Sequence, residues 1–382
     1  MQKKPLQIIV GIGVDYTFNR EVLCGVLDYA GDKSHWHVTS AEPSEAAMLE
    51  ALESKPDGLI SYSLTPRIIA AAELASCPVV PMTPSALHSP GVYPDHEAIG
   101  KVAAEHLLEL GLKHFASAIR GEGWPIIRSR GFARRIEQAG YPCREFDLPP
   151  DIHHWWPGDL LYKNNNPLPI LAELPKPLGV FAGNDVNGYR LIHHCVNMGL
   201  HVPDEVAIIG VDNDDILCNA CRPQLSSVVT NHRQVGYRAA ELLDKILNGQ
   251  ALPEQDILVP PGGVAKRKST DVLAVADPEI VTAVRYIRDH VADGITPKLL
   301  MQRVLISRRS FENRFKSAMG CTVLDEIVRG RVNRAKELLG KTDMPMPQVA
   351  EKSGFANIYR LSTVFKQKTG FTPGQYRNIR GF

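Results

Sequence analysis

The sequence predicts a two-lobed α/β region over residues 1–276 and a smaller all-helical region over residues 277–382. A chain of 382 residues is too long for one ordinary hydrophobic core. Up to about residue 270, short apolar runs rich in β-branched residues alternate with segments of helical period, which is typical of parallel sheets covered by helices. After Pro278 the pattern is wholly helical, and a small unit of two helices joined by a turn occurs twice.

The apolar runs of the first region predict strands at 7–11, 58–61, 79–82, 114–119, 179–182 and 207–211. Segments of helical period predict helices at 19–30, 96–110, 128–139 and 185–198. We expect the first sheet to finish near residue 110 and a second sheet to begin near His114. Two doubly wound lobes follow from this order, and the cleft between such lobes is the natural ligand site.

Several blocks of this region resemble the sugar-sensing domain of the lactose-repressor family, over roughly residues 6–265. Residues 128–132 match an R-x-x-G-F pattern, residues 182–185 match A-x-N-D, and residues 202–212 are similar to V-P-x-D-V-x-x-x-G-x-D. The family shares its fold with type I periplasmic sugar-binding proteins, so the resemblance implies a periplasmic-binding-protein-like domain. That family carries its DNA-binding headpiece before the sensor, whereas Gln7 already starts the first strand here. We therefore expect any DNA-binding element to lie elsewhere.

Polar residues at the ends of the predicted strands are candidates for binding a sugar. Proteins hold sugar hydroxyls with fixed carboxylates and amides, a planar Arg fork and aromatic rings. We predict ligand contacts for Tyr16, Asn19, Arg20, Arg128, Asn184, Asp185 and Asp212. A helix cap or a salt bridge between the lobes is the alternative for each of them.

The charge of the chain is divided unevenly between the two regions. Residues 277–382 contain 19 Lys and Arg against 10 Asp and Glu, a net charge of +9. The first 276 residues contain 24 against 32, a net charge of −8. A compact basic domain favours binding to nucleic-acid phosphates, although a solvated charged face has the same composition.

Each repeated unit of the basic region presents one apolar and one polar helix face. Ser307 is placed to cap a helix that buries Phe311 and Phe315, and Asn357 can cap a second helix. An amphipathic helix of about 18 residues, roughly 27 Å long, connects the units. Neighbouring major-groove sites lie about 34 Å apart, so such a connector could seat both units on one duplex, although an ordinary core helix has the same length.

The residues of this region resemble the arabinose-regulator (AraC/XylS) DNA-binding domain over about residues 278–380. The resemblance lies in residues 306–316 (ISRRSFENRFK), 331–339 (RVNRAKELL), Gly354 with Phe355, and 370–373 (GFTP). It implies two DNA-reading helices, and their outward residues can hold phosphates or read base edges. We predict DNA contacts for Arg308, Arg309, Glu312, Asn313, Lys316, Asn357, Tyr359, Arg360, Thr363 and Lys366.

A sugar-sensing domain of the lactose-repressor type followed by a DNA-binding domain of the AraC/XylS type resembles the xylose operon regulators. This resemblance implies a cytoplasmic homodimer that binds D-xylose between its lobes, engages double-stranded promoter DNA and activates transcription, with RNA polymerase as a possible further partner. The cleft residues themselves leave arabinose, ribose or another polyol open as the effector. We predict no cofactor and no bound metal.

Two other classes of function remain as alternatives. An enzyme could use Asp212, Asp214 and Asp215, or His153 and His154, but no nucleophile elbow, phosphate loop or nucleotide fingerprint accompanies them. A sugar carrier is disfavoured because no export signal is evident and no run approaches the roughly 20 apolar residues of a membrane span. Cys218 and Cys221 form a lone C-x-x-C, for which buried, reduced thiols are a simpler explanation than a metal or redox site.

Overall fold

The chain divides into two units, Met1–Ala274 and Val275–Phe382, in the computed structural model. The predicted boundary after residue 276 lies two residues beyond this division. The structure describes residues 5–14, 16–31, 35–84, 89–119, 123–148, 169–272, 277–304 and 306–380. None of the helices in these ranges has both the length and the apolar character needed to cross a bilayer.

The first unit alternates strands and helices, as predicted. Its strands are β1 (Leu6–Gly11), β2 (Trp36–Ala41), β3 (Gly58–Ser61), β4 (Val79–Pro81), β5 (Val92–Pro94), β6 (His114–Ile119), β7 (Cys143–Asp147), β8 (Leu178–Phe181), β9 (Val206–Val211), β10 (Ser226–Val228), β11 (Ile257–Val259) and β12 (Val264–Ala265). Its helices are α1 (Thr17–Gly31), α2 (Glu45–Glu53), α3 (Pro66–Leu74), α4 (His96–Glu109), α5 (Trp124–Gln138), α6 (Pro169–Glu173), α7 (Asp185–Asn197), α8 (Asp215–Ala220) and α9 (His232–Leu247).

The strands form two separate lobes. Lobe 1 contains the parallel sheet β2-β1-β3-β4 and the pair β11-β5, and lobe 2 contains the sheet β12-β10-β9-β8-β6-β7, in which only β12 runs antiparallel. The central strands β3 and β9 are buried along their whole length because helices cover both faces of each sheet. The carboxyl ends of these strands therefore become the exposed edges from which loops can reach a ligand.

Helix α4 belongs to lobe 2, so the expectation that the first sheet finishes near residue 110 is wrong. Its apolar face, with Ile99, Ala103 and Leu107, packs into the cluster of Phe115 and Phe132. Helix α9 returns to lobe 1, where its buried face, including Val235, Ala239 and Leu243, packs with residues of α1 and β1. Each of these helices packs on the lobe whose core its apolar face completes, and not on the lobe whose strands precede it in the sequence.

The chain crosses between the lobes three times, after β5, after β10 and after β11. The crossing segments are hydrogen-bonded to one another: Asp95 donates its backbone N–H to Val259 O at 2.9 Å, and Val229 donates to Gly263 O at 2.8 Å. Helices α4 and α9 begin directly after two of these crossings, with His96 and His232 as their first residues. These two histidines therefore lie where the lobes are joined.

The described residues of the second unit form the helices α10 (Pro278–Asp289), α11 (Pro297–Met301), α12 (Arg308–Met319), α13 (Val323–Lys341), α14 (Met346–Lys352), α15 (Ile358–Thr369) and α16 (Pro373–Arg380). Ser307 caps α12 and Asn357 caps α15, each accepting a backbone N–H three residues on, as predicted. Gly354 turns the chain before α15 at φ +77°, and a Cβ there would lie 2.0 Å from Val291 O. The turn therefore requires glycine.

Helix α13 is the predicted connector and has 19 residues. One side of α13 packs into a cluster with α14 and α15, which includes Leu339, Val349, Leu361 and Phe365. On the other side of the unit, Phe311 of α12 is fully buried, and α12 contacts both α10 and α13. In chain order, α11 and α12 precede the long helix α13, and α14 and α15 follow it.

Candidate functional site

A cavity of about 470 Å³ lies between the two lobes of the first unit. Lobe 1 contributes Ile12, Tyr16, Phe18, Asn19, Pro43, Tyr62 and Thr83, and lobe 2 contributes Trp124, Arg128, Asn184, Asp185, Val186, Asp212, Asp214 and Leu217. Pro94, His96 and His232 reach the cavity from the crossing segments. A molecule bound here would contact both lobes and the segments that join them.

The cavity brings together six of the seven residues predicted from the sequence as sugar ligands. Arg20 is the exception, since it is not among the residues that line the cavity. Its guanidinium is exposed and donates to Val14 O at 2.8 Å and to Thr17 Oγ1 at 3.0 Å, at the start of α1. The Arg20 side chain therefore holds the chain at the start of α1, whereas Asn19 of the same turn is buried at the cavity wall.

Arg128 is the most constrained cation in the cavity. Its side chain is 4% exposed, and Nη1 donates to Gly183 O at 2.8 Å while Nη2 donates to Asp212 Oδ1 at 3.3 Å. The guanidinium also lies over the Trp124 ring, 4.4 Å from its centroid. These contacts fix the plane of the guanidinium, so its orientation is set before a ligand arrives.

Asp212 follows the last residue of β9 and carries a strained backbone, with φ +99°. Burial alone would raise the pKa of its carboxyl, but Arg128 and His232 outweigh burial and leave the pKa lowered. Asp212 is therefore ionised at neutral pH and offers only hydrogen-bond acceptors. Oδ1 is shared by Arg128 and by His232 Nε2, which lies 3.2 Å away.

His96 and His232 present imidazole rings from the lobe junctions. Burial and the neighbouring Arg128 lower the pKa of His96 to about 3, so its ring is neutral. Its Nδ1 accepts the Nε–H of Arg128 at 3.3 Å, which leaves the proton on Nε2 as a donor. His232 Nδ1 is buried and has no hydrogen-bond partner among the described residues.

Asp185 differs from Asp212 in its protonation. Its Oδ1 accepts the Ser227 hydroxyl at 2.6 Å, and its Oδ2 accepts the Asp214 backbone N–H at 2.7 Å. Burial, together with the Asp212 carboxylate, raises the pKa of Asp185 to about 8. A Cβ on residue 210 would lie 2.2 Å from Asp185 Oδ1, so Gly210 makes room for this buried carboxyl.

Asn184 precedes Asp185 and caps α7. Its Oδ1 accepts the Asn187 N–H at 2.8 Å, so the amide oxygen serves the helix. The side-chain NH₂ remains as a pair of donors at the cavity wall. Asn184 is therefore both the cap of α7 and a residue of the cavity wall.

Aromatic rings form the two opposite walls of the cavity. In lobe 1, Phe18 stacks on Tyr16 with centroids 5.6 Å apart and meets Tyr62 edge to face at 6.5 Å. In lobe 2, the Trp124 ring lies 6.1 Å from that of His96. Rings on both sides and polar groups between them suit a ligand that has C–H faces and hydroxyl edges.

The prediction missed Phe18, Tyr62, His96, Trp124 and His232. Trp124 had a usable signal, since it lies four residues before Arg128 and so on the same face of a helix. His96 and His232 had none, because their importance comes from the crossings between lobes. Tyr62 follows β3 by one residue, where strand-end reasoning could have found it.

An enzyme or a metal site is the alternative function considered above for Asp212, Asp214, Asp215, His153 and His154. Among the described residues, no group of three or more His, Cys, Asp or Glu side chains is placed to hold a metal ion. Asp214 caps α8, and Asp215 is 83% exposed. His153 and His154 lie outside the described residues.

Cys218 and Cys221 are buried free thiols. The Cys218 thiol donates to Asp185 Oδ2 at 3.4 Å and the Cys221 thiol to Leu217 O at 3.2 Å. Burial raises the pKa of both thiols, that of Cys221 to about 12. Thiols held in the protonated form are poor nucleophiles and poor metal ligands.

A second candidate surface lies on helices α12 and α15 of the other unit. The ten predicted DNA-contacting residues are all exposed, and Tyr359 is 81% exposed. Arg308 donates to Glu312 Oε1 at 2.8 Å, and the Thr363 hydroxyl donates to Tyr359 O at 3.0 Å. Exposed Arg, Lys and Asn side chains on a helix whose other face is buried are the groups that contact phosphates and base edges in a major groove.

Comparison with known proteins recognises both units. A family model described as a periplasmic binding protein-like domain matches residues 104–270, and one described as a helix-turn-helix domain matches residues 300–379. A xylose operon regulatory protein of Haemophilus influenzae is 30% identical over 84% of this chain and 81% of its own length. Its namesake in Escherichia coli strain K12 is 28% identical over 99% and 98%. The solved structure of a xylose-binding transcription activator matches with a TM-score of 0.79 and 27% identity over the full length of both chains.

Proposed function

The chain belongs to the family of xylose operon regulatory proteins, which are sugar-responsive, DNA-binding transcription regulators, and we propose that this member binds D-xylose in the cavity between its lobes. The observation that carries the proposal is the Arg128–Asp212 pair, held between two aromatic walls in a cavity of about 470 Å³. A neutral pentose can satisfy this arrangement because it has hydroxyls for the pair and C–H faces for the rings.

The polar groups of the cavity would make different hydrogen bonds to the sugar. Asp212 accepts a hydrogen bond from a sugar hydroxyl, and Asn184 and the Nε2–H of His96 donate to hydroxyl oxygens. Because these groups are buried, a sugar that leaves one of them without a partner binds more weakly. Epimers of D-xylose such as L-arabinose and D-ribose turn hydroxyls in other directions, so they are the competitors to test.

Sugar binding would alter the equilibrium between lobe arrangements. The ligand touches both lobes as well as His96 and His232 at the crossings, so it favours the arrangement in which all these contacts are made at once. A ligand shifts such an equilibrium only by the difference in its affinity for the two states. This difference in affinity therefore limits how strongly the sugar can change DNA binding by the second unit.

Promoter DNA is proposed to bind to the outward faces of α12 and α15. Their exposed cations, amides and Tyr359 support this assignment, together with the helix-turn-helix match over residues 300–379. Helix α13 has 19 residues, about 28 Å at 1.5 Å per residue, which is close to the roughly 34 Å between successive major-groove sites. We further propose a cytoplasmic homodimer that activates transcription in the presence of sugar and meets RNA polymerase at the promoter.

Calorimetric titration of the full chain with D-xylose, L-arabinose, D-ribose and D-glucose tests the effector. We expect D-xylose to bind most tightly, and the Asp212→Asn variant to lose most of that affinity. The Asp215→Asn variant, altered three residues further along at the exposed start of α8 and outside the cavity, should retain it. Equal affinity for all four sugars, or none, would overturn the assignment.

DNA duplexes selected by the full chain from a random library then test the second half of the proposal. D-Xylose should change the affinity or the footprint on the selected duplex. An unchanged affinity and footprint would rule out a sugar-responsive regulator, and turnover of a sugar without DNA binding would favour an enzyme.

A further inference from the structure

Residues 264–272, here called the exit segment, are the last described part of the first unit before the chain continues to α10. The segment begins with β12, which pairs antiparallel with β10 at the edge of the lobe 2 sheet. It ends in a short 3-10 helix, Lys268–Thr270. Any sugar-dependent change that reaches the second unit along the chain has to pass through it.

The exit segment is held by buried hydroxyl groups. Ser269 Oγ donates to Ile208 O of β9 at 2.6 Å and accepts the Ser226 N–H at 2.8 Å. Thr270 Oγ1 donates to Ser226 Oγ at 2.7 Å and lies 2.8 Å from His106 Nε2. Ser269 is completely buried, which is unusual for a serine so close to the end of a domain.

Arg267 connects the exit segment directly to the loop that carries the cavity carboxylate. Its Nη2 donates to Asn213 Oδ1 at 2.8 Å, its Nη1 donates to Leu225 O at 3.1 Å, and its side chain is only 15% exposed. Asn213 is the residue immediately after Asp212. The Arg267 guanidinium is therefore hydrogen-bonded to the residue next to Asp212, whose carboxylate is proposed to bind the sugar.

Asn213 is also tied to the other buried carboxyl of the cavity. Its backbone N–H donates to Ser227 Oγ at 3.0 Å, and the same hydroxyl donates to Asp185 Oδ1 at 2.6 Å. The backbone at Asp212 and Asn213 has φ +99° and φ +52°, so two consecutive non-glycine residues are held in an unfavourable conformation. Surrounding contacts have to enforce such a turn, so its conformation depends on the groups that are bonded to it.

We propose that Arg267 is a positioning residue that couples sugar occupancy to DNA binding, by tying the Asp212–Asn213 turn to the exit segment. A sugar hydroxyl bound to Asp212 stabilises one arrangement of this turn. Because Asn213 is hydrogen-bonded to the Arg267 guanidinium, a change in the turn moves this guanidinium, and the exit segment moves with it. The inference rests on the proposed function, since it assigns the path by which that same cavity acts on the DNA-binding unit.

The same contacts would also be present if Arg267 only stabilised the lobe, so the test needs a measurement that mere stability does not change. Thermodynamic linkage provides one. If D-xylose raises DNA affinity by a certain factor, DNA raises D-xylose affinity by the same factor. If the coupling is lost, D-xylose no longer changes the affinity for DNA and DNA no longer changes the affinity for D-xylose. Each ligand alone still binds.

The experiment measures both affinities on the full chain, using D-xylose and a duplex selected by the wild-type protein. We expect the Arg267→Ala variant to bind D-xylose without DNA within about threefold of wild type, and its coupling factor to fall to within about twofold of one. Lys266→Ala is the matched control, since Lys266 is the neighbouring cation, is 66% exposed and faces Glu109. It should retain the wild-type factor.

Asn213→Gly provides a second, independent variant. Glycine tolerates the left-handed backbone of this position but lacks the amide oxygen, so the variant should lose the coupling and keep the fold. The double variant should be no worse than either single one, because both remove the same hydrogen bond.

The outcomes distinguish a failure of the proposed function from a failure of the role of Arg267. A wild-type chain that binds D-xylose and DNA without coupling, or that binds no sugar, overturns the proposed function. A coupled wild type together with coupled Arg267→Ala and Asn213→Gly variants overturns the role of Arg267 alone. Should Arg267→Ala fail to fold, the Asn213→Gly variant decides by the same criterion.

Discussion

Arg128 donates to Asp212 Oδ1 across 3.3 Å, in a cavity that leaves the two side chains only 4% and 13% exposed. The pair joins α5 to the end of β9, two elements of lobe 2 that are far apart in the sequence. A buried pair of opposite charges contributes little net stability by itself, but removing one partner leaves the other uncompensated. The pair is therefore better explained as a fixed hydrogen-bonding site for a polar ligand than as a stabilising device.

The Asp212→Asn variant should bind D-xylose roughly tenfold to a hundredfold more weakly, as expected for loss of a hydrogen bond to a charged group. The neutral amide is a weaker acceptor, and it leaves the Arg128 guanidinium without its carboxylate. Isothermal titration calorimetry on the full chain measures the change. Wild-type affinity in this variant would show that the sugar does not contact Asp212.

The aromatic walls make a separate contribution. Trp124→Ala removes the ring beneath Arg128 and should weaken D-xylose binding by roughly threefold to thirtyfold, whereas Trp124→Phe keeps a ring and should lose less. Because Trp124 lines the cavity, its fluorescence should also change when sugar is added to the wild-type chain. Equal losses in the Ala and Phe variants would argue against a stacking role.

The extent to which the sequence predicts this architecture depends on burial. Strands β1, β3, β6, β8 and β9 were predicted to within a residue or two because central strands, covered on both faces, are apolar throughout. Strands β2 and β7 were missed because both are edge strands that carry exposed polar residues, as in the sequence CREFD of β7. Composition alone does not distinguish such a strand from a loop.

The cavity was predictable where its residues end a strand or begin a helix in the direct order of the sequence, as for Arg128, Asp185 and Asp212. His96 and His232 were not predictable, since they become neighbours only because α4 packs on lobe 2 and α9 returns to lobe 1. Arg20 was also predicted, but it does not line the cavity. It lies one residue after Asn19, but this step along the chain turns its side chain away from the cavity to Val14 and Thr17.

The buried Asp185 should make the stability of the first unit depend on pH. Its pKa is raised from 3.8 to about 8 on folding, so between these values the folded state keeps a proton that the unfolded state has lost. The free energy of unfolding of the wild type therefore receives a contribution that decreases as pH rises through this window. The slope is at most about 1.4 kcal/mol per pH unit for one proton.

The Asp185→Asn variant removes this contribution, so the free energy of unfolding of the variant minus that of wild type should rise between pH 5.5 and 7.5. Urea denaturation at several pH values measures it. Asp28→Asn is the control, because the hydrogen bond from Arg233 lowers the pKa of Asp28 and both states are ionised throughout this window. Its difference from wild type should be flat, and a flat difference for Asp185→Asn would contradict the raised pKa.

Both helix-turn-helix units should contribute to DNA binding, and salt dependence distinguishes how each does so. Arg309 on α12 and Arg360 on α15 are exposed and occupy comparable positions near the beginning of their helices. If an arginine reads a base edge, its Ala variant should lose about 1–3 kcal/mol of binding free energy and relax the sequence preference. If it contacts a phosphate, the affinity should fall for all sequences, and the slope of log affinity against log salt should become shallower by about 0.9.

The matched control for this experiment is Arg314→Ala, also on α12, because the Arg314 guanidinium is bound by Asp277 at 2.6 Å and does not belong to the outward row. Its removal should leave both the affinity and the salt slope close to wild type. Fluorescence anisotropy on a selected duplex at several salt concentrations measures all three variants. An effect for Arg309→Ala without one for Arg360→Ala would mean that only the first helix-turn-helix, which contains α12, engages DNA. In that case α13 would be a core helix and not a spacer between two grooves.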